Sequence, residues 1–200
     1  MRYDNEHKQR TRQKLLAETS AAIRLHGPDN ISVAALMAKV GLTHGGFYAH
    51  FKSKDDLIAE AINYVLEERI NAFEKNLEGA DISAALTSYI DLYLSPEHRD
   101  LRDKGCPVVA LNGDVARMSN ETKACFESSI QRTINILSNT LKKLNKENSD
   151  ELACSMLTEM VGALAVSRTL SNSELSVWVL NNTRASVKKR IGLDTQVLEA

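Results

Sequence analysis

Apolar residues recur at intervals of three and four along most of this 200-residue chain, and few residues interrupt the spacing. Only three prolines and nine glycines occur, and most of them lie between segments of helical period rather than within them. A period of 3.6 residues places such apolar positions on one face of an α-helix. The sequence therefore predicts an all-α protein of about nine or ten helices.

The first helices have clear local signals at their ends. Gly27-Pro28 is a stop signal, Ser32 and Ser53 are suitable N-caps, and Gly41 fits the position just after a helix. Thr43 can cap another helix directly after that glycine. These signals predict helices over 6–26, 33–40, 43–50 and 53–78.

Longer helices with fewer turn residues are predicted in the rest of the chain. Ser95-Pro96 and Cys106-Pro107 each place a proline at the first position of a helix, where proline is favoured. The predicted helices cover 82–94, a short segment from Pro96, 108–117, 121–145, 150–170 and 174–191. The helix 121–145 has a heptad-like apolar seam. The helix 150–170 is apolar on two faces, so other parts of the protein must cover it on both sides.

Composition excludes several classes of protein. With 43% hydrophobic and 26% charged residues the chain can bury a sizeable core, so disorder is not expected. No stretch has the roughly 18 uncharged apolar residues of a membrane span, and no signal peptide is seen at the start, so a cytoplasmic protein without a membrane partner is expected. The cysteines Cys106, Cys125 and Cys154 are widely spaced and form neither a disulfide pattern nor a metal motif.

The charge is unevenly distributed along the chain. Residues 1–54 carry nine Lys and Arg against four Asp and Glu, whereas the remainder carries 16 against 22. The front of the chain therefore has a net charge of +5 and the rest −6. A basic end on an acidic body fits a polyanionic partner that contacts one end only.

The segment from Ser32 to Leu57 has the layout of a helix-turn-helix, with two short helices joined at Gly41-Leu42 and a third helix directly after them. Its motifs are Val40-Gly41-Leu42 and Gly46-Phe47-Tyr48-x-His50-Phe51-x-Ser53-Lys54-Asp55-x-Leu57. In these motifs, and in the Thr11-Arg12 start of the preceding helix, the sequence resembles the TetR family of bacterial repressors. The resemblance implies a DNA-binding three-helix domain over 1–54 and a helical sensing and dimerisation domain over 55–200, connected by the helix 53–78.

The expected partner is double-stranded operator DNA, bound without a cofactor or metal. By resemblance, Tyr48, His50 and Lys54 contact phosphate oxygens, which set register and affinity. Thr43, His44 and Gly45 begin the recognition helix and are the candidates for base edges, with His44 first. Gly45 is interpreted as allowing close approach to the groove, whereas Gly46 fits that role or tight packing equally well. The further candidates for contact with DNA are Arg10, Arg12, Ser32 and Lys52.

The family resemblance also implies a homodimer, since paired recognition helices bind half-sites about one helical turn apart. The helices 121–145 and 150–170 would then form a four-helix interface between two subunits. The alternative is that both helices fill the core of their own subunit. The predicted interface residues are Phe126, Ile130, Ile134, Leu137, Leu141, Met156, Met160 and Ala163.

Cys106 is the candidate sensor. Its place before Pro107, with Arg102 and Lys104 nearby, favours the reactive thiolate through the helix dipole and the neighbouring cations. The stretch from Gly105 to Ser119 also resembles TetR-type repressors that sense electrophiles and reactive chlorine through a cysteine. The alternative is a small residue packed under the start of a helix. Cys125 and Cys154 lie inside helices and are interpreted as core residues.

If a small molecule is sensed instead, a pocket among the later helices is expected. Its candidate lining residues are Tyr89, Tyr93, Leu111, Met118 and Trp178. No catalytic motif is present, so an enzyme is not expected. The chain is predicted to be a sequence-specific transcriptional regulator, a repressor released from DNA by a small-molecule or thiol-reactive signal. The alternative is a helical interaction or ligand-binding protein that does not bind DNA.

Overall fold

The computed structural model describes residues 2–77 and 81–193, and the side chains of these residues apart from 2–5 and 44. Helices without any strand make up this part of the chain, so the predicted all-α class is confirmed. The α-helices are α1 (Arg2–His26), α2 (Val33–Lys39), α3 (Lys54–Leu77), α4 (Ile82–Tyr93), α5 (Pro96–Asp100), α6 (Pro107–Val115), α7 (Asn120–Lys143), α8 (Ser149–Thr169) and α9 (Ser173–Arg190), with a 3₁₀ helix (His44–Ala49) between α2 and α3.

The predicted stop and start residues act as expected. Gly27 and Gly41 adopt φ angles of +78° and +76°, a left-handed conformation that lets the chain leave α1 and α2 without a side-chain clash. The Oγ of Ser32 accepts a hydrogen bond from the Ala35 N–H, and the Oγ of Ser95 accepts one from the His98 N–H. Both serines therefore cap their helices, and the helix boundaries agree with the predictions to within a few residues.

The described chain forms two compact units. The first runs from the N-terminus to Arg69 and resumes over Arg102–Glu127; the second contains Ile70–Leu101 and the chain from Ser128 onward. In the first unit α1 packs against α2 and α6. This division does not fall at the predicted boundary after Lys54, because the first half of α3 buries Leu57, Ile58 and Ile62 in the same unit as α1. The functional boundary at Lys54 stays a prediction.

The second unit is built around the packed pair α8 and α9, which also contact α5 and α4 respectively. The Arg168 guanidinium closes the end of α5 by donating hydrogen bonds to the carbonyl oxygens of His98 and Arg99, at 3.1 and 3.0 Å. At the turn between α8 and α9 the Ser176 hydroxyl donates to the Ser167 carbonyl at 2.8 Å. These bonds satisfy backbone groups that the helix ends leave open.

Most of the residues predicted to form a dimer interface lie inside the subunit. Six of the eight are buried in the single chain, namely Phe126, Leu137, Leu141, Met156, Met160 and Ala163. Ile130 and Ile134 are half-buried. These six side chains therefore fill the core of their own subunit. Ile130 and Ile134 keep exposed area, and the interface on α7 and α8 stays a prediction.

Candidate nucleic-acid interface

The helix-turn-helix is held together by a small aromatic and aliphatic core. Phe47 and Phe51 are each 2% exposed and stack with their ring centroids 5.9 Å apart, while Met37 of α2 is fully buried. The Leu42 N–H donates to the Met37 carbonyl at 2.9 Å and closes the turn after α2. This core fixes the orientation of the 3₁₀ helix relative to α2.

The predicted third helix is a 3₁₀ helix rather than an α-helix. Its ends are closed by hydrogen bonds that span three residues, from the Gly46 N–H to the Thr43 carbonyl and from the His50 N–H to the Phe47 carbonyl. Short helices with this bonding are tightly wound, and two adjacent glycines weaken the preference for the α form. The backbone of His44 opens this helix, but the His44 side chain lies outside the described residues.

The two glycines of the 3₁₀ helix are not required by contacts within the chain. A Cβ added to Gly45 would meet no atom within 4 Å, and one added to Gly46 would lie at an ordinary 3.7 Å from the Met37 Cε. Gly45 is also exposed. Its lack of a side chain therefore leaves open surface beside the recognition helix, which agrees with the predicted close approach to a groove.

Several of the predicted contact residues form one exposed surface. Thr43, Gly45 and Lys52 are exposed, and the Tyr48 side chain is 69% exposed with its ring edge-on to Phe47 at 5.3 Å. Lys54 is half-buried, and its ammonium donates to the Asp29 carbonyl at 2.9 Å, so it also ties α3 to the loop after α1. An exposed tyrosine and lysines near one another in the sequence suit contact with phosphate oxygens.

His50 lies at the edge of this surface. Its Nδ1 is buried and makes no hydrogen bond within the described residues, so Nε2 is the ring nitrogen available to an outside partner. Burial, followed by the positive charges of Lys8 and Arg12, lowers the pKa of His50 below 6.5. The imidazole is therefore neutral near pH 7 and can donate from Nε2 to a phosphate.

Arg12 is held by contacts within the chain. Its guanidinium forms an ion pair with Glu60 of α3 and lies 4.9 Å from the centre of the Phe51 ring. These contacts anchor α1 to α3 and to the helix-turn-helix core, and a contact of Arg12 with DNA stays a prediction. Arg10 is exposed, and Ser32 is occupied as the N-cap of α2.

One cation near the surface was missed by the sequence prediction. Lys8 is exposed on α1 and close enough to His50 to lower its pKa. Lys8 and Arg12 are four residues apart, hence on the same face of the helix. The spacing of four residues from Arg12 was the sequence signal that could have indicated Lys8.

The family comparison applies to this same segment of the chain. Residues 15–61 match the model of a family described as bacterial regulatory proteins, tetR family. The match begins in α1 and covers α2, the 3₁₀ helix and the start of α3. Residues 15–61 are thus assigned to the TetR family.

One curated relative supports the family assignment. The uncharacterized HTH-type transcriptional regulator YfiR of Bacillus subtilis (strain 168) is 25% identical over 103 residues, which are 52% of this chain and 50% of YfiR. The chain thus spans about half the length of the curated relative it matches.

Solved structures show the same fold over nearly the whole chain. The reduced form of E. coli NemR matches with a TM-score of 0.78 at 19% identity, covering 90% of this chain and 95% of NemR. A TetR transcriptional regulator from Chloroflexus aurantiacus J-10-FL matches with a TM-score of 0.78 at 20% identity, covering 94% and 96%. At these identities the likeness shows the fold alone.

The residues predicted to line a ligand pocket are divided between the two units, and the pocket stays a prediction. Tyr89 stacks on Phe73 at 4.2 Å and lies 5.8 Å from Tyr93, so these two tyrosines share an aromatic cluster in the second unit. Leu111 and Met118 belong to the first unit. Trp178 is 60% exposed, because it lies on the outer face of α9, and it therefore does not form the wall of an internal pocket.

The cysteines also differ in their surroundings. Cys106 is half-buried at the N-cap of α6, as predicted, and its side chain makes no capping hydrogen bond. Cys125 is half-buried, and Cys154 is exposed rather than part of the core. Within the described residues no group of three or more His, Cys, Asp or Glu side chains is arranged to hold a metal ion. In the same residues no helix is long and apolar enough to cross a membrane.

Proposed function

We propose that this chain is a DNA-binding transcriptional regulator that binds double-stranded operator DNA as a homodimer. The observation that carries the proposal is the exposed surface around the 3₁₀ helix, in the segment that matches the family. We propose further that it acts as a repressor and leaves the DNA in response to a small-molecule or thiol-reactive signal. Direct binding to a duplex from its own upstream region tests the proposal, and the absence of binding would favour a helical protein that does not bind DNA.

The contacts divide by type. Tyr48, His50 and Lys52 lie where they can bind phosphate oxygens, together with Lys54, whose ammonium can exchange or share its carbonyl partner. Such contacts are insensitive to sequence and sensitive to salt. Thr43 and Gly45, with His44, begin the recognition helix and are the proposed base contacts.

The proposed dimer face lies on the outer sides of α8 and α9. Residues 160–167 of α8 and 175–183 of α9 carry no charged side chain. Three large apolar side chains in these segments are exposed, with Val166 at 49%, Leu175 at 44% and Trp178 at 60%. An uncharged helix pair with an exposed tryptophan is typical of a surface that a second subunit covers.

Gly162 supports the same face. It lies in the middle of α8, is exposed, and a Cβ added to it would meet no atom within 4 Å. A glycine inside a helix costs about 1 kcal/mol relative to alanine, and nothing in the subunit requires it here. Close approach of a partner helix would explain the residue. We therefore place the interface on the outer faces of α8 and α9, with Trp178, Val166 and Gly162 at its centre.

Cys106 is the proposed site of a thiol-reactive signal. It lies at the start of α6, and α6 packs against α1 of the DNA-binding unit. The adjacent Gly105 carbonyl accepts a hydrogen bond from the Arg24 guanidinium at 3.1 Å. A modification at Cys106 would alter the position of this loop relative to α1. The structure of E. coli NemR is described as a reduced form, so a redox state has been distinguished for that protein.

Cys106→Ser is expected to bind DNA with wild-type affinity and to stay bound after treatment with hypochlorite or an electrophile, because serine cannot react as a thiolate does. Fluorescence anisotropy with a labelled operator duplex measures this release. Cys154→Ser is the matched control, since Cys154 is the exposed cysteine, and it should release DNA as the wild type does. Release of Cys106→Ser to the same extent as the wild type would show that this thiol is not the sensor.

His50 predicts a pH dependence of DNA binding. In the free protein the pKa of His50 lies below 6.5, and a bound phosphate favours the protonated ring, so the complex has the higher pKa. DNA binding then takes up a proton, and the affinity should rise as the pH falls from about 7.5 to about 6, by at most about tenfold per pH unit. His50→Gln should flatten this dependence in titrations at constant ionic strength. An equal slope in both proteins would remove His50 from the phosphate contacts.

A further inference from the structure

A groove of about 620 Å³ opens on the first unit. Its walls are the C-terminal half of α1, the following loop with α2, the stretch of α3 from Tyr64 to Arg69, and Asp103 with Lys104. The volume lies within the usual range for small-molecule sites. The groove shares no lining residue with the exposed surface around Tyr48 or with the proposed dimer face.

Arg24 lines the groove and is 7% exposed. Its Nε donates to the Ser20 carbonyl at 3.0 Å and its Nη1 to the Gly105 carbonyl at 3.1 Å. Both acceptors are neutral, Nη2 makes no hydrogen bond within the described residues, and no carboxylate among them pairs with this guanidinium. A buried cation without an ion-pair partner is costly, so the site favours a negatively charged ligand.

Charged side chains of both signs surround Arg24. Burial first, and then the positive charge of Arg69, lower the pKa of Arg24 to about 10. Glu68 and Asp103 act in the opposite direction without forming an ion pair with Arg24. Cations outnumber carboxylates by one in the lining, which contains Arg24, Lys39, Arg69 and Lys104 against Glu18, Glu68 and Asp103.

Part of the remaining lining is apolar and of small to medium size. Ala21, Leu25, Ile31 and the ring of Tyr64 contribute to it, and Leu25 is 40% exposed. Polar side chains lie among them, namely Ser20, His26, Asn30 and Ser32. A bare inorganic anion would leave these side chains in contact with water. A ligand that unites a carboxylate with an apolar body would contact both parts of the groove.

We propose that this groove binds a small organic carboxylate. The ligand carboxylate accepts hydrogen bonds from Arg24 and forms an ion pair with Arg69. The apolar body of the ligand packs on Leu25, Ile31 and Tyr64. The ligand would bridge α1, α3 and the loop that leads to Cys106, and would thereby hold that loop on α1. From this position we expect the bound carboxylate to change the affinity for DNA, an expectation that rests on the proposed function.

Benzoate is a suitable probe, with benzyl alcohol as the same ring without charge and inorganic phosphate as charge without a ring. Backbone amide shifts of the full chain are measured during titration with each. Benzoate should give saturable shifts centred on the groove, for instance at Gly105 and Ser32, while benzyl alcohol and phosphate should bind more weakly. Equal shifts with benzyl alcohol, equal affinity for phosphate, or benzoate shifts confined to other residues would overturn the proposal.

Charge variants test the assigned residues. Arg24→Gln and Arg69→Ala should each lower the affinity for benzoate about tenfold or more, as loss of a charge-assisted contact does. Arg69 is exposed and forms no ion pair within the described residues, so its variant should fold even if Arg24→Gln does not. Arg117→Ala is the matched control, an exposed arginine of the same unit outside the groove, and should bind as the wild type does. Unchanged affinity in Arg69→Ala would contradict the site.

Anisotropy with a DNA duplex separates the two proposals. Saturating benzoate should shift the DNA affinity of the wild type and leave that of Arg69→Ala unchanged at the same concentration. Failure of the protein to bind DNA would overturn the proposed function. The conclusion about benzoate binding, which depends on the amide shifts alone, would remain valid. Binding of DNA without any benzoate shifts in the groove would overturn only the present inference, and an unchanged DNA affinity with the groove filled would overturn the coupling.

Discussion

Trp178→Glu is expected to convert the dimer into monomers and to lower the affinity for operator DNA by about 100-fold or more, since each monomer would hold only one half-site. Trp178 is 60% exposed and is the largest apolar side chain on the outer face of α9. Replacing it with a carboxylate removes the proposed anchor of the interface and leaves a charge without a partner in it. Analytical ultracentrifugation and DNA anisotropy measure the two effects.

Leu92→Glu is the matched control for this prediction. Leu92 is 66% exposed, belongs to the same unit and lies on α4, outside the proposed dimer face. The variant places the same carboxylate on an equally exposed apolar position, so it should remain dimeric and bind DNA normally. A dimeric Trp178→Glu protein, or a wild-type protein that is monomeric at micromolar concentration, would contradict the proposed interface.

Phe47→Ala is expected to lower the free energy of unfolding by about 3–5 kcal/mol and to abolish specific DNA binding. Phe47 is 2% exposed, stacks on Phe51 and supports the ring of Tyr48 edge-on. Removing it leaves a cavity between the 3₁₀ helix and the rest of the helix-turn-helix core. The recognition helix would then lose its orientation even where the remaining chain stays folded. Thermal unfolding and anisotropy are measured on the same sample.

Ile62→Ala separates loss of stability from loss of the recognition geometry. Ile62 is fully buried on α3 in the same unit, and its truncation should cost about 2–5 kcal/mol. At a temperature where both variants are folded, Ile62→Ala should keep wild-type DNA affinity and Phe47→Ala should not. Equal loss of DNA binding in both variants would mean that stability alone explains the effect.

Local signals were sufficient to predict where the helices begin and end. These signals act through hydrogen bonds and backbone angles that involve only the neighbouring residues. They are the serine caps Ser32 and Ser95, the glycines Gly27 and Gly41, and Pro96. The family motifs between Val40 and Leu57 are equally local. For this reason the all-α class and the helix-turn-helix could be predicted from the sequence.

Contacts between distant parts of the chain could not be predicted in this way. Arg12 carries a charged group that is suited to a phosphate contact. In the structure its guanidinium forms an ion pair with Glu60, which is 48 residues away in the sequence. The apolar spacing in α7 predicts an apolar helix face, but it does not predict which surface covers that face. In the structure, other parts of the same subunit cover most of it. Trp178 has the size of a core residue and is exposed. In each case the partner, not the residue, decides the role.

Binding of the wild-type chain to DNA is the most direct test of the central claim. Fluorescence anisotropy is measured with a duplex from the region upstream of its own coding sequence and with a scrambled duplex, each at several salt concentrations. The predicted result is tighter binding to the upstream duplex, with an affinity that falls linearly with salt on logarithmic axes, as released counterions require. Equal, salt-independent or undetectable binding to both duplexes would contradict the account.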